Sequence, residues 1–256
     1  MEKLKMWAKK EWQETSILFH SIPSVTVVLF AVSVVAMNLM ANKTIVSVND
    51  AAGNQVFALD GGFTVSWISF LCMDIITKRF GPKASTKVSI LAIGTNVLTC
   101  LMFWLVSIIP TDKSLGDFSA IDSVLGGTWF VLLSSTIAFI ISAVINNFTN
   151  DALGKAFHKN PNGKLAYVTR TYISTMIGQF LDNLIFSVLT FMIFAPKYWG
   201  FKWTFLACIT CAITGAVAEL VMEIIFSPIG FNVCKKWEAK GIGNEYISYC
   251  LKEKDI

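Results

Sequence analysis

The stretch KRFGPKASTKVSILAIGTNVLTCLMFWLVSII, residues 78–109, decides the fold, because a basic loop leads directly into a long apolar segment. A helix that crosses a bilayer needs about 20 mainly apolar residues. Residues 85–109 meet this requirement, and five other parts of the chain resemble them. The sequence therefore predicts six membrane spans, at residues 22–41, 61–77, 85–109, 126–147, 168–195 and 201–226.

Basic residues alternate in density between the segments that join these spans. If successive segments lie on alternate sides of the membrane, one side holds 17 of the 21 Lys and Arg residues and the other side holds four. Basic residues stay cytoplasmic during membrane insertion. The pattern predicts an all-α integral membrane bundle of six transmembrane helices with both the N- and C-termini cytoplasmic, in the plasma membrane or a cell inner membrane.

Composition agrees with this class, since 54% of the residues are hydrophobic, 15% are charged and the mean hydropathy is +0.61. We expect one transmembrane transporter domain over residues 1–256, with an amphipathic N-terminal segment (1–21) and a cytoplasmic tail (235–256). The net charge of +4 favours contact with anionic lipid over nucleic acid. The IVSVNDAAGNQVFA stretch, residues 45–58, predicts a small external β-hairpin between the first two spans.

The six cysteines are expected to be reduced thiols. Two of them, Cys208 and Cys211, form a CxxC on a membrane helix without a second pair or a nearby His, which favours helix packing over metal or redox chemistry. No metal and no cofactor are expected. The chain also lacks a GxxxxGK[ST] loop, an HExxH and a GxSxG, so an enzymatic function has no support.

Ionisable side chains inside a span are costly and mark functional sites. Asp182 lies near the middle of the fifth span, and helical spacing places Gln179 and Phe186 on the same stripe. A carboxylate, an amide and an aromatic ring suit a flat ligand that forms hydrogen bonds. The alternative is a polar cluster that only fixes the register of the helices.

Other polar groups lie between mid-depth and the cytoplasmic side of the predicted bundle. Glu219 is expected to face the same cavity as Asp182, where it either contacts a cationic substituent of the ligand or takes up a proton. Glu223, one turn later, reaches either the cavity or the interface, and Asp74 either binds substrate or pairs with Lys78 at the inner rim. The candidate substrate-binding residues are Asp182, Gln179, Asn183, Phe186, Glu219, Asp74, Asn38, Asn96, Asn146 and Glu223.

Four passages resemble the queuosine precursor transporter family, also called the VUT family of vitamin uptake transporters. They are AMNLMANK (36–43), FLCMDIITKRFGPKAS (70–85), SSTIAFIISAVINN (134–147) and TMIGQFLDNLIFSVLTF (175–191). The second and the fourth are the specific ones. The family pattern is matched by Asp74, Thr77, Phe80, Gly81, Gly178, Gln179, Asp182 and Phe186, and by Asn38 on the first span.

The resemblance implies uptake of 7-deazaguanine bases for the queuosine modification of tRNA. The chain departs from the family pattern at Ala143 and Asn146, where relatives usually carry a carboxylate or a pair of an amide and a carboxylate. It also departs at Glu219, where relatives often carry a Lys. A purine-like base and the lipid bilayer are the expected partners, no ATPase is required, and a homodimer is left open. Two alternatives remain: a substrate-binding subunit of a multi-component vitamin uptake system, and a membrane-embedded enzyme.

Overall fold

The computed structural model describes residues 2–111, 114, 116–156 and 164–254, and they are mostly helical. The order of the elements is α1 (Glu2–Ser21), α2 (Ser24–Met40), β1 (Thr44–Asn49), β2 (Gln55–Asp60), α3 (Phe63–Phe80), α4 (Pro82–Ser107), α5 (Ser119–Ala156), α6 (Lys164–Ser187), a π-helical segment (Val188–Phe194), α7 (Ala195–Tyr198), α8 (Phe205–Ala239) and α9 (Asn244–Lys254).

Four stretches of helix within the described ranges are long and apolar enough to cross a membrane: Pro82–Ser107, Ser119–Ser142, Met176–Tyr198 and Phe205–Phe226. They overlap the last four predicted spans. A fifth candidate is the pair formed by α1 and α2, which is bent by 102°. Helix α3, over the predicted second span, is not among these candidates. The apolar helices indicate a multi-pass membrane protein, and the count of six spans stays a prediction.

Gly81 and Pro82 separate α3 from α4, because both residues disfavour a continuous helix. The φ of Gly81 is +90°, a conformation that side chains other than glycine rarely adopt. Pro82 is the first residue of α4, where its missing N–H costs nothing because the first turn of a helix has no acceptor for it. The basic loop is thereby reduced to a tight turn.

The chain forms two compact units, each assembled from separated segments. The first unit comprises Met1–Val35, Ser66–Thr95 and Glu223–Ile256. Its apolar core includes Ile76, Val88 and Leu18, with Tyr246 of α9 fully enclosed. An ion cluster lies beside this core, in which Lys83 and Lys87 of α4 pair with Glu11 and Glu14 of α1.

The second unit comprises Ala36–Val65 and Asn96–Met222. Strands β1 and β2 form an antiparallel pair within it, in the segment where the sequence predicts a hairpin. That this pair lies outside the membrane stays a prediction. The apolar core of the second unit includes Ala58 of β2 together with Phe191, Trp203, Ala207, Cys208 and Cys211.

The π-helical segment continues α6 toward α7 and is the main irregularity of the second unit. The backbone N–H of Trp203 donates a hydrogen bond of 3.1 Å to the carbonyl oxygen of Phe191, which lies inside the segment. The two rings also stack, with centroids 3.9 Å apart and an interplanar angle of 18°. Such segments occur frequently at functional sites, and this one directly follows the helix that carries Asp182.

Candidate functional site

Asp182 of α6 is held by a hydroxyl group of the neighbouring helix. Ser142 Oγ of α5 donates a hydrogen bond of 3.0 Å to Asp182 Oδ1. The same hydroxyl oxygen is 3.1 Å from the carbonyl oxygen of Phe139. A serine hydroxyl carries one proton, so the two acceptors share it and Asp182 keeps most of its capacity for further hydrogen bonds.

Glu219 of α8 is buried, with 7% of its surface exposed, and it contacts the residue next to Asp182. Asn183 Nδ2 donates to Glu219 Oε2 at 3.3 Å. Gly215, one turn before Glu219, makes room for this amide, because a Cβ atom there would lie 2.7 Å from Asn183 Nδ2. Helices α6 and α8 thus approach closely at the point where their two carboxylates lie.

The carboxylates of Asp182 and Glu219 lie close enough to interact electrostatically, and Asp60 is within the same range of Glu219. Lysines of α4 pair with glutamates of α1, and these ion pairs include none of the three groups. Buried charges without a partner are expensive. The arrangement is therefore suited to a ligand that brings hydrogen-bond donors, positive charge or both.

Asp60 ends β2, before the first residue of α3, and is 9% exposed. Its Oδ1 accepts a hydrogen bond of 2.7 Å from the backbone N–H of Gly62. Burial raises the pKa of the Asp60 carboxyl to about 6, although the backbone N–H groups of Gly62 and Phe63 act in the opposite direction. Asp60 also interacts electrostatically with Cys211 of α8.

Two predicted site residues contain buried polar atoms that lack a hydrogen-bond partner among the described residues. They are Gln179 Oε1, one turn before Asp182 and Asn183, and Asn96 Nδ2 on α4. An unpaired buried polar group costs on the order of 1–3 kcal/mol, so each is a candidate contact for a bound ligand. Asn96 is 1% exposed and Asn38 is 2% exposed, and both belong to the second unit.

The remaining candidates are less closely associated with Asp182 and Glu219, the acidic pair. Phe186 packs edge-on against Phe191, with ring centroids 5.9 Å apart, and belongs to the apolar core. Asp74 belongs to the first unit and has an exposed side chain, one turn from Lys78. The side chains of Asn146 and Glu223 lie outside the described part of the chain.

Ser142 and Asp60 are absent from the residues selected by sequence reasoning. Ser142 looks like one of many hydroxyl residues in apolar helices, and only its position opposite Asp182 distinguishes it. Asp60 lies at the edge of a predicted span, where sequence reasoning assigns an acidic residue to a polar loop. The available signal is the sequence Asp60-Gly61-Gly62, because paired glycines after an acidic residue indicate a tight bend with a helix cap.

Comparison with known proteins gives two findings. A family model described as "Putative vitamin uptake transporter" matches residues 60–233. The "Probable queuosine precursor transporter" of Bacillus subtilis (strain 168) is 26% identical over 133 residues, which cover 51% of this chain and 56% of that relative. The chain therefore spans little more than half the length of this curated relative. No solved structure matches the chain.

The matched region begins at Asp60 and includes both carboxylates of the acidic pair, Asp182 on α6 and Glu219 on α8. It also covers each of the four apolar helices and more than half of the 256 residues. The chain is a multi-pass membrane protein and belongs to the vitamin uptake transporter family.

Proposed function

We propose that this transporter imports queuosine precursors, that is, 7-deazaguanine bases or queuine, and that Asp182 and Glu219 bind them. The observation that carries the proposal is the pair of carboxylates on α6 and α8, each fixed by one neutral donor and by no cation among the described residues. The name of the Bacillus subtilis relative supports the same substrate class.

The chemistry of the base fits such a pair. A guanine-like edge presents two adjacent N–H donors, which a carboxylate accepts with both oxygens. We assign this contact to Asp182, because its side-chain donor among the described residues is a hydroxyl shared with a second acceptor. The unpaired Oε1 of Gln179 on the same helix offers an additional acceptor. Glu219 would face a cationic substituent.

We propose a binding role for the other predicted residues as well. Asn183 positions Glu219, and Asn96 supplies an unpaired amide. Asn38 and Phe186 are buried or packed in the same unit. Asp74, Asn146 and Glu223 stay in the set on the basis of sequence alone.

We also propose that the chain crosses the plasma membrane or a cell inner membrane six times, with both termini in the cytoplasm. The asymmetry of 17 to four basic residues supports this arrangement. Helix α3 would then be the second span. Its 18 residues are about 27 Å long, which nearly matches the hydrocarbon core of a bilayer.

We further propose that the chain transports its substrate without a separate ATPase and does not convert it chemically. A homodimer stays a prediction. Transport without an ATPase distinguishes the preferred function from that of a binding subunit in a larger uptake system. The absence of chemical conversion distinguishes it from that of a membrane enzyme.

The test is the uptake of radiolabelled 7-deazaguanines into cells that cannot make queuosine, with and without this chain. Saturable uptake that restores queuosine in tRNA is the expected result. The same measurement in liposomes that contain only this chain decides whether another subunit is needed, and chromatography of the imported label detects conversion. Equal uptake with and without the chain would reject the substrate assignment.

A further inference from the structure

Asp60 is a buried carboxylate that the strand β2 directs toward α8. Burial alternates along the second half of β2, so that Ala58 and Asp60 lie on the same inward face. Ala58 is fully buried and packs in the cluster that contains Cys208 and Cys211. Asp60 continues that face by two residues and comes within electrostatic range of Cys211 and Glu219.

Hydrogen bonds from threonine hydroxyls fix the hairpin to the beginning of α8. Thr210 Oγ1 donates to the carbonyl oxygen of Val56 at 2.7 Å, and Thr204 Oγ1 donates to that of Gln55. Both carbonyls belong to β2, so the strand that carries Asp60 is held against the helix that carries Glu219.

The chain immediately after Asp60 packs against backbone atoms at the end of α2. A Cβ atom at Gly61 would lie 2.6 Å from the carbonyl oxygen of Met40, and one at Gly62 would lie 2.7 Å from that of Met37. Backbone atoms cannot move aside as a flexible side chain can. Asp60 is therefore fixed on both sides, by the threonine contacts of the strand before it and by the two glycines after it.

Asp60, Glu219 and Asp182 together place up to three negative charges in one buried region. Among the described residues their hydrogen-bond donors are neutral, and they include the backbone N–H groups of Gly62 and Phe63, the Asn183 amide and the Ser142 hydroxyl. The free energy of such a region falls when a positive charge enters it. A neutral base satisfies Asp182 alone, whereas a base with an ammonium group would also compensate Glu219 and Asp60.

Building on the uptake function proposed above, we propose that Asp60 is a further residue of the binding site and that its negative charge makes the site prefer a substrate with a positively charged substituent. The alternative is that Asp60 only caps α3 through the N–H of Gly62. Asn and Ser cap helices about as well as Asp, but they are neutral. Asp60→Asn and Asp60→Ser therefore remove the charge and keep the cap.

A matched control lies in the same hairpin. Asp50 is exposed and its Oδ1 accepts backbone N–H groups of Ala52 and Asn54, at 2.9 and 2.8 Å. Asp50→Asn is thus the same substitution as Asp60→Asn, and it is made at another residue of the hairpin that accepts backbone hydrogen bonds. It controls for any general effect of a changed charge in the hairpin.

The experiment measures uptake of two 7-deazaguanines of nearly equal shape, one with an aminomethyl group and one with a hydroxymethyl group. The amine is protonated at neutral pH, whereas the hydroxyl is neutral. The measured quantity is the ratio of the two uptake efficiencies, maximal rate divided by KM, for the wild type and each variant. The amount of folded protein and its thermal midpoint are recorded for each.

We expect the wild type to favour the aminomethyl base and this preference to fall about tenfold in Asp60→Asn and Asp60→Ser. Asp50→Asn should keep the wild-type ratio. If the wild type transports both bases but the Asp60 variants keep its ratio, the inference is wrong and Asp60 is only a cap. The loss of folded protein in both neutral variants would also overturn it. Uptake of neither base by the wild type would instead reject the proposed function, and this inference with it.

Discussion

Single side chains decide whether the buried region between α6 and α8 can bind a base. Among the described residues, the side-chain donor to Asp182 is the Ser142 hydroxyl, which it shares with the carbonyl oxygen of Phe139 at 3.1 Å. Glu219, in contrast, receives an amide proton from Asn183. The two carboxylates are therefore expected to differ in role, with Asp182 as the principal hydrogen-bond acceptor for the ligand.

Asp182→Asn tests that role, because it retains the size of the side chain and removes its charge and one acceptor. A hydrogen bond to a charged group contributes about 2–3 kcal/mol. Uptake efficiency should therefore fall by a factor of roughly 30–150 while the protein still inserts and purifies. Asp117→Asn is the control, since Asp117 is exposed and contacts the backbone N–H of Ser119. Normal uptake by the Asp182 variant would contradict the assignment.

Gly215→Ala tests the close approach of the two helices. The added Cβ would lie 2.7 Å from Asn183 Nδ2, so the amide must move away from Glu219. Introducing atoms into a packed contact costs about 1–3 kcal/mol, and we expect a lower thermal midpoint together with several-fold weaker uptake.

Gly94→Ala provides the comparison for Gly215, because a Cβ at Gly94 meets nothing within 4 Å. Alanine stabilises a helix interior by about 0.5–1 kcal/mol relative to glycine, so this variant should be at least as stable as the wild type. Equal thermal midpoints and equal uptake for the two alanine variants would show that the packing at Gly215 is unimportant.

The elements of the first unit are joined by an ion cluster that involves α1, α4 and α9. Glu14 is 4% exposed and receives contacts from Lys83, from Lys87 at 3.2 Å and from the hydroxyl of Tyr246 at 3.1 Å. Burial by itself would raise the pKa of Glu14, but the hydrogen bonds with Lys83 and Lys87 outweigh burial and lower it. Glu11 also has a lowered pKa, chiefly through its hydrogen bond with Lys83.

A lowered folded-state pKa makes stability depend on pH in a defined direction. The stabilisation is fully present above the unfolded pKa of about 4.3 and is lost as the pH falls through the folded value. The thermal midpoint of the purified protein should therefore decrease below about pH 4.5. Glu14→Gln should lower the midpoint at pH 7 by an amount that corresponds to about 1–3 kcal/mol and weaken this pH dependence.

The control for Glu14 is Glu238→Gln, because Glu238 is exposed and belongs to the same unit. It should leave both the midpoint and its pH dependence unchanged. A pH profile that is the same in Glu14→Gln and in the wild type would mean that other groups cause the acid sensitivity.

Sequence reasoning locates some elements better than others for a physical reason. The apolar helices over Pro82–Ser107 and Phe205–Phe226 follow from hydropathy alone. The π-helical segment Val188–Phe194 does not, because its irregularity accompanies a contact between Phe191 and Trp203, twelve residues apart. Likewise, Asp182 and Glu219 are prominent because charges in spans are rare, whereas Ser142 becomes important only through a neighbour 40 residues away.

The orientation of the whole molecule in the membrane can be tested by labelling. In a variant without the native cysteines, a single cysteine at Asn54 should react with an impermeant thiol reagent in intact cells, whereas one at Lys240 should react only after lysis. Both positions are exposed, so accessibility within the protein does not limit either reaction. The opposite pattern would reverse the predicted orientation, and labelling of both in intact cells would change the number of spans.

The interleaved composition of the two units has a consequence for biosynthesis. Synthesis proceeds toward the C-terminus, yet the unit that contains α1 also requires Glu223–Ile256, which follows every segment of the other unit in the sequence. The other unit ends at Met222, only three residues after Glu219. The second unit therefore cannot close before the first half of α8 is translated, and the first unit cannot close before the second half is translated. A ribosome that stalls before α8 would leave the earlier apolar helices in the membrane without their final partners, as a substrate for membrane quality control.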